Sequence, residues 1–396
     1  MTGNGIEVAD VINRYGSDFR ERFGATLSWQ QRRVLIDVGA CRSAMLGGHL
    51  EACEVCGFQR PAYNSCRNRH CPKCQGRARA AWLDARCSDL LPVPYFHVVF
   101  TLPDEIGPLA LQNPGVVYGL LFRAAADTLK AVAADPKHLG ARIGFLAVLH
   151  TWGQNLHHHP HVHCVVPGGG LALDNSAWVA CHQDFFLPVR VLSRVFRGKF
   201  VSCLATAYAE GKLNFHGRLK DQRDPVAFHC WLDGPAGKEW VVYAKPPFGG
   251  PNQVLAYLAR YTHRVAISNG RILSADDGQI RFRYKDYRAG NQWQTMTLGA
   301  VEFIRRFLLH TLPKGFMRIR HYGFLANPVR RARLALCRAF LVVERAVREI
   351  LAPNQTELKG PTCPECSTGL MVPIRRLPPH QAITPALQPL AAWNTS

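Results

Sequence analysis

The sequence predicts an α+β protein, and three observations lead to that reading. Short β-branched and aromatic runs, such as residues 93–103 and 143–152, read as strands. Longer stretches with apolar residues at helical spacing, such as 116–134 and 187–210, read as amphipathic helices. A cysteine-rich segment with metal-ligand spacing precedes both.

Composition narrows the class. A chain of 396 residues has room for two or three domains and a sizeable core. It holds 48 basic against 28 acidic residues, a net charge of +20. That excess calls for a polyanionic partner, most often nucleic acid. An acidic membrane face fits less well, because no basic amphipathic helix with an apolar stripe is visible. No apolar run is long enough for a membrane span. The N-terminus has early acidic residues and no apolar core, unlike a signal peptide. A cytoplasmic, DNA-associated protein is expected. Its 14 cysteines then argue for metal binding rather than a disulfide framework.

Taken in order, residues up to about 50 read as helical, with Phe19, Phe23, Leu27 and Val34 to Ile36 as apolar positions. Cys53-x-x-Cys56 and Cys71-x-x-Cys74 follow, with fourteen residues between the pairs. Four thiolates at this spacing can close a tetrahedron around a structural zinc, which contributes folding energy on the order of 10 kcal/mol. A redox dithiol is disfavoured, since there are two pairs and no thioredoxin-like βαβ pattern. Cys41 and His49, just before, and Cys66 and His70, inside, could bind a second zinc or exchange with one of the four. Arg67, Arg69, Lys73, Arg77 and Arg79 surround the second pair. Basic residues on a zinc-fixed loop suit DNA contact; the plainer alternative is a packing domain with a solvated charged face.

Residues 93–103 form the first strand, with His97 inside it. The helix 116–134 is stopped by Asp135-Pro136. The strand 143–152 follows, then residues 155–170, NLHHHPHVHCVVPGGG. After Pro160 this run is apolar and β-branched, as in a buried strand. Strand periodicity places His161 and His163 on one face and turns Val162 to the core. Two imidazoles on a rigid strand make half of a metal site; a solvated surface cluster is the alternative. His159 continues the same face and is the expected third ligand, with Gln154 and His97 as rivals. The two successive strands can pair antiparallel.

Further on, 187–210 reads as a helix and 239–245 as a strand. Gly249-Gly250-Pro251 opens a helix over about 252–263. Asn269-Gly270 signals a hairpin turn, residues 280–287 and 292–298 are strands, and 301–312 and 328–351 are helices. Residues 301–350 carry eleven basic and three acidic side chains, Arg318 and Arg320 among them. That makes a second candidate phosphate-contacting surface. The tail is proline-rich, with little regular structure expected after Met371. Its Cys363-Pro-Glu-Cys366 is half a zinc site that needs two ligands from elsewhere, such as His380 or other cysteines. The organisation expected is a helical and zinc-binding domain (1–90), a catalytic domain (91–300), a basic helical region (301–351) and a tail (352–396).

The helix after Pro251 carries Tyr257 and Tyr261, four residues apart and so on one face. An arbitrary pair of this kind is ordinary core. A tyrosine hydroxyl, with a pKa of about 10, is a poor nucleophile unaided. A divalent metal offsets the charge repulsion of a phosphodiester. Histidine strand, tyrosine helix, zinc module and positive charge together fit DNA strand cleavage through a phosphotyrosine.

At this point the chain resembles the HUH-class transposases of the insertion sequence 91 family, relatives of rolling-circle replication initiators. The resemblance covers most of the chain. It rests on YNSCRNRHCPKC (63–74), HPHVHCVVPGGG (159–170), YLARYTHRVAISN (257–269) and LPKGFMRIRHYGFLAN (312–327). Histidines before tyrosines also separate it from conjugative relaxases. The resemblance implies a mostly antiparallel sheet with packed helices, His161 and His163 as metal ligands, and Tyr257 and Tyr261 as nucleophiles. It implies a 5′-phosphotyrosine and a free 3′-hydroxyl on single-stranded element ends, with later transfer to target DNA and no need for ATP. Mg²⁺ or Mn²⁺ is the expected catalytic ion and Zn²⁺ the structural one. Arg260, His263 and Arg264 flank the tyrosines as phosphate contacts. Two other readings stay open: a zinc-dependent DNA-binding protein without cleavage activity, and a rolling-circle replication initiator.

Overall fold

The structure, a computed structural model, describes residues 5–75, 80, 82, 86, 88–182, 186–248, 265–286, 290, 292–341 and 361–379. Helix α1 (Val8–Phe23) starts at a capping box in which Glu7 and Asp10 satisfy each other's backbone N–H groups. Helix α2 (Trp29–Gly39) starts at the equivalent Ser28–Gln31 box. Strands β1 (Gly48–Cys53) and β2 (Gln59–Tyr63) form a hairpin. Then come β3 (Tyr95–Thr101), the short α3 (Gly107–Gln112) and α4 (Pro114–Ala134), which has proline in its first turn.

Next are β4 (Ala141–Arg142), β5 (Gly144–Trp152), β6 (His158–Pro167), β7 (Gly169–Ala172) and β8 (Trp178–Ala180). Helix α5 (Val189–Ala209), helix α6 (Pro225–Gly237), capped by the Asp224 side chain, and strand β9 (Val242–Phe248) follow. The chain continues through β10 (Ile272–Asp276), β11 (Gln279–Asp286), β12 (Gln292–Gly299) and α7 (Ala300–Leu309). It ends with β13 (Ile319–Gly323), α8 (Arg330–Phe340) and β14 (Met371–Leu377).

The central sheet has the order β13-β5-β6-β3-β9, and every neighbouring pair is antiparallel. Its two faces differ, as period-two patterning requires. Phe96, Val98 and Phe100 of β3, Ala147 and Leu149 of β5, and Val162, Cys164 and Val166 of β6 pack with α4 and α5 in the main core. The opposite face carries Leu146, Val148 and Val165 in a small cluster, and beyond them the histidines. A second core joins α1, α2, the β10–β12 sheet and α7, with Phe282 and Phe303 fully buried. Trp152 and Leu156, at the turn between β5 and β6, belong to this second core. Helix α7, through Arg306, donates to the Asn155 carbonyl at 3.3 Å. The two cores therefore meet at the turn that introduces the histidine strand.

Two sequence expectations are corrected. The hairpin turn lies at Asp277-Gly278, where φ is 50° and 71° and Asp276 pairs with Gln279, the geometry of a type I′ turn. Asn269 instead begins a short 3₁₀ turn, and its side chain accepts a hydrogen bond from the Val8 N–H at 3.2 Å. The residues before it, Val265, Ala266 and Ile267, are all buried, without the alternation of a strand. The tail holds a strand, β14, paired along β1 from Leu377 opposite Gly48 to Met371 opposite Cys53. Most of its side chains are exposed. It is a strand because a partner supplies the ladder, which local pattern does not reveal. Among the described residues, no helix is long and apolar enough to cross a membrane.

Candidate metal centres and nucleic-acid interface

The central strands bring three imidazoles together. His161 and His163 project from β6 on one face, as the strand period requires, and His150 projects from β5 directly opposite His161. One ring nitrogen from each lies within 4.8 Å of the others. His150 and His163 are buried, and their ring centroids are 4.4 Å apart. The Trp152 indole stacks on His150 at 4.8 Å and limits its rotation.

Neighbouring groups orient the rings. His161 Nδ1 donates to the His159 carbonyl at 2.6 Å, which leaves its Nε2 lone pair for a ligand. His163 Nδ1 and His97 Nε2 are 2.8 Å apart, with the two rings nearly coplanar. Burial, with the nearby charge of Lys245, pushes the His97 pKa down to about 3, so this ring is neutral. A neutral His97 can accept the Nδ1 proton of His163, the tautomer in which His163 Nε2 points its lone pair outward. Such outer partners fix orientation and basicity in metal sites.

The third imidazole of the group is His150, not the expected His159. His159 shares the face, but its Nδ1 stands 3.6 Å from an Asp104 carboxylate oxygen, and it is not part of the three-imidazole group. His97 supports His163 rather than joining the group. Gln154, through its main-chain carbonyl, accepts from the buried Arg271 guanidinium and is not part of the group. His150 was missed because the strands join through a bulge between His150 and Trp152 that shifts the register by one residue. Counting symmetrically from the turn would set His150 opposite Pro160 and aim it at the helices.

A second group of histidines faces the helices and is structural. His158 Nε2 lies 2.8 Å from the Tyr118 hydroxyl. His310 bonds the Thr151 hydroxyl at 3.3 Å and the Leu156 carbonyl at 3.2 Å. Burial lowers the His158 pKa to about 4 and that of His310 to about 3, so both are neutral. Tyr118→Phe should leave the largely buried His158 nitrogen without its hydrogen-bond partner. The expected loss is about 1–3 kcal/mol of unfolding free energy, read by urea denaturation. Mn²⁺ binding at the three-imidazole group should be unchanged in calorimetry.

The cysteines form two tetrads, not the one expected. Cys71 and Cys74 meet Cys41 and Cys66, while Cys53 and Cys56 meet Cys363 and Cys366. In the first tetrad, Sγ of Cys74 is 3.6 Å from those of Cys41 and Cys66. A tetrahedron with Zn–S bonds of about 2.3 Å has edges of about 3.8 Å, so the sulfurs stand where zinc would hold them. The expectation of one site from Cys53, Cys56, Cys71 and Cys74 fails because β1 and β2 carry the first pair away from the second. Of the two other candidate ligands, His49 lies on β1 opposite Ala62. His70 accepts a hydrogen bond from the Leu312 N–H at 3.4 Å, and burial beside Arg69 and Arg318 lowers its pKa to about 3.

The basic residues divide by role. Arg69 donates to the carbonyls of Phe316 and Pro313 at 2.6 and 2.7 Å, locking the first tetrad's loop onto the 312–317 loop. Lys73 pairs with Glu7 and donates to the Cys41 carbonyl. Arg318 is buried, and burial lowers its pKa to about 10. Arg320 lies over the Phe122 ring at 4.3 Å. Arg67 is exposed, on a left-handed residue, and lines a groove of about 1360 Å³ with Arg42, Arg60, Tyr63 and Phe316. Tyr257, Tyr261, Arg260, His263 and Arg264, with Arg77 and Arg79, lie outside the described residues.

Comparison with known proteins bears on both centres. A family described as putative transposase matches residues 144–333, which contain the three imidazoles. One described as transposase zinc-binding domain matches residues 11–102, which contain the first tetrad but only half of the second. The chain is 53% identical over 405 residues to putative transposase y4qJ of Sinorhizobium fredii, covering 100% of both chains. It is 30% identical over 299 residues to the transposase for insertion sequence element IS801 of Pseudomonas savastanoi pv. phaseolicola, covering 73% of this chain and 69% of that protein. No solved structure matches it.

Proposed function

The chain belongs to the insertion sequence 91 family of transposases, and from that premise we propose that it cuts and rejoins single-stranded DNA through tyrosine esters at the three-imidazole group. The observation that carries this reading is the convergence of His150, His161 and His163 on one face of an antiparallel sheet. Three imidazoles can hold a divalent cation, and by themselves suit borderline ions such as zinc; Mg²⁺ or Mn²⁺ is the ion that the family's chemistry implies here. When bound, that ion polarises a non-bridging phosphoryl oxygen and stabilises the charge that develops there.

The protein supplies the rest. His97 and the His159 carbonyl hold the ligand rings in one tautomer and orientation. Tyr257 and Tyr261 are the nucleophiles. A tyrosine oxygen forms a bond to phosphorus, the bond from phosphorus to the 3′ oxygen breaks, and the phenolic proton is passed through solvent to the departing 3′ oxygen. The products are a 5′-phosphotyrosine and a 3′-hydroxyl. A 3′-hydroxyl can later attack that ester, release the tyrosine and join the strands, so transfer needs no external energy source.

Chain connectivity supports this assignment. Strand β9 ends at Phe248, opposite Tyr95 of β3, on the sheet that carries the histidines. The chain re-enters the second core at Ala266 and Ile267, in the cluster that holds Trp152. Tyr257 is nine residues from the first anchor and Tyr261 five from the second, spans of at most roughly 30 and 18 Å. The groove lined by Arg42, Arg60 and Arg67 is the DNA path in this reading, with Tyr63 as an exposed ring for base stacking.

The test is a denaturing gel of the protein with labelled single-stranded DNA from its element's ends. A covalent band that requires Mg²⁺ or Mn²⁺ and is lost in the Tyr257→Phe/Tyr261→Phe variant is expected. Adducts unchanged in that variant would remove these tyrosines from the chemistry. Binding without any adduct favours the non-cleaving DNA-binding protein. Cleavage without joining to a second DNA favours a replication initiator.

A further inference from the structure

We propose that Cys53, Cys56, Cys363 and Cys366 form a second tetrahedral zinc site, which clasps the C-terminal strand β14 onto β1. The zinc-binding domain match ends at residue 102 and reaches only two of these ligands. Sγ of Cys53 is 3.7 Å from that of Cys366, and Sγ of Cys56 is 3.7 Å from that of Cys363. These separations are close to the edge of about 3.8 Å expected for four sulfurs around zinc. They are far from a disulfide bond of about 2.05 Å.

The two halves are built alike. The Val55 and Cys56 N–H groups donate to Cys53 Sγ at 3.4 Å. The Glu365 N–H donates to Cys363 Sγ, and the Gly369 N–H to Cys366 Sγ, also at 3.4 Å. Backbone donors aimed at sulfur stabilise thiolates, the form that binds metal. The residue after each knuckle is left-handed: Gly57 has φ 73° and Ser367 φ 57°. The first tetrad repeats this after Cys41 and Cys66, with φ 57° at Arg42 and 54° at Arg67. A Cβ on Gly369 would run into Cys53 Sγ and Val55, so the two halves approach closely.

The site has mechanical work to do. Cys53 and Cys366 are 313 residues apart in sequence. Strand β14 exposes most of its side chains, and its apolar anchor is the small cluster of Cys53, Cys363 and Met371. Apolar burial this small holds a strand weakly, so the thiolate tetrad is what secures the ladder. Soft thiolates in a closed tetrahedron select zinc over the hard ions of the histidine site.

The test uses the full-length protein and no DNA, so its outcome is independent of the cleavage reading. Elemental analysis should find two zinc ions per chain, and one in the Cys363→Ser/Cys366→Ser variant. Trypsin should cut after Arg375 or Arg376 at least tenfold faster in that variant than in the parent. In the unmodified protein, iodoacetamide should label Cys363 and Cys366 only after chelation, while the exposed Cys230 is labelled at once. The labelling and the parent zinc count decide the matter even if the variant misfolds. A single zinc in the parent, two retained in the variant, iron in place of zinc, or labelling of Cys363 before chelation would each overturn the proposal.

Discussion

Replacing His150 with alanine should reduce metal-dependent strand cleavage more than about a hundredfold, while DNA binding stays near that of the parent. The expectation follows from the group's geometry. His150 is one of three imidazoles whose ring nitrogens lie within 4.8 Å of one another. Removing a direct ligand should cost more than removing an outer partner, for which about 10–100-fold is typical. The structure therefore sets an order. His150→Ala should be the most damaging and His97→Ala intermediate, since His97 acts through His163. His159→Ala should be mild, because His161 uses only the main-chain carbonyl of that residue. Single-turnover cleavage across a Mn²⁺ titration reads this order, and raised Mn²⁺ should rescue His97→Ala better than His150→Ala. If His159→Ala lost more activity than His150→Ala, the ligand set drawn here would be wrong.

Cys71→Ser should unfold the zinc-binding region and loosen the sheet behind it. Cys71 is fully buried, and its tetrad stands at zinc-binding spacing. A structural zinc supplies folding energy on the order of 10 kcal/mol. That is comparable to the whole stability of a domain, about 5–15 kcal/mol. The damage should spread, because the loop of this tetrad is bound to distant elements. Asn68 donates to the Asp37 carboxylate at 3.0 Å, and Arg69 grips the Phe316 and Pro313 carbonyls. Those loop residues lead into β13 at the edge of the central sheet. Hydrogen exchange should show lost protection in α2 and in β13, with β3 and β6 protected for longer. A chelated protein that melts at the same temperature as the untreated one would refute the structural role.

Much of this protein is legible along its chain. The strands 95–101, 144–152 and 158–167 and the helices 114–134 and 189–209 follow from apolar spacing that neighbours cannot easily override. The shared face of His161 and His163 follows from the two-residue period of a strand. The CxxC pairs announce metal sites by chemistry and spacing alone. What spacing could not decide was which partners meet. His150 joins the histidines only because a one-residue bulge resets the register between β5 and β6. Cys53 and Cys56 take ligands from beyond residue 360, rather than from the nearer pair at 71 and 74. Arg69 and Lys73, which read as DNA contacts, are bound to protein carbonyls and to Glu7. Local periodicity comes from bond geometry within one segment and is written in consecutive residues. Partner choice depends on strand register and on the closure of loops hundreds of residues long, which the packed chain sets only as a whole.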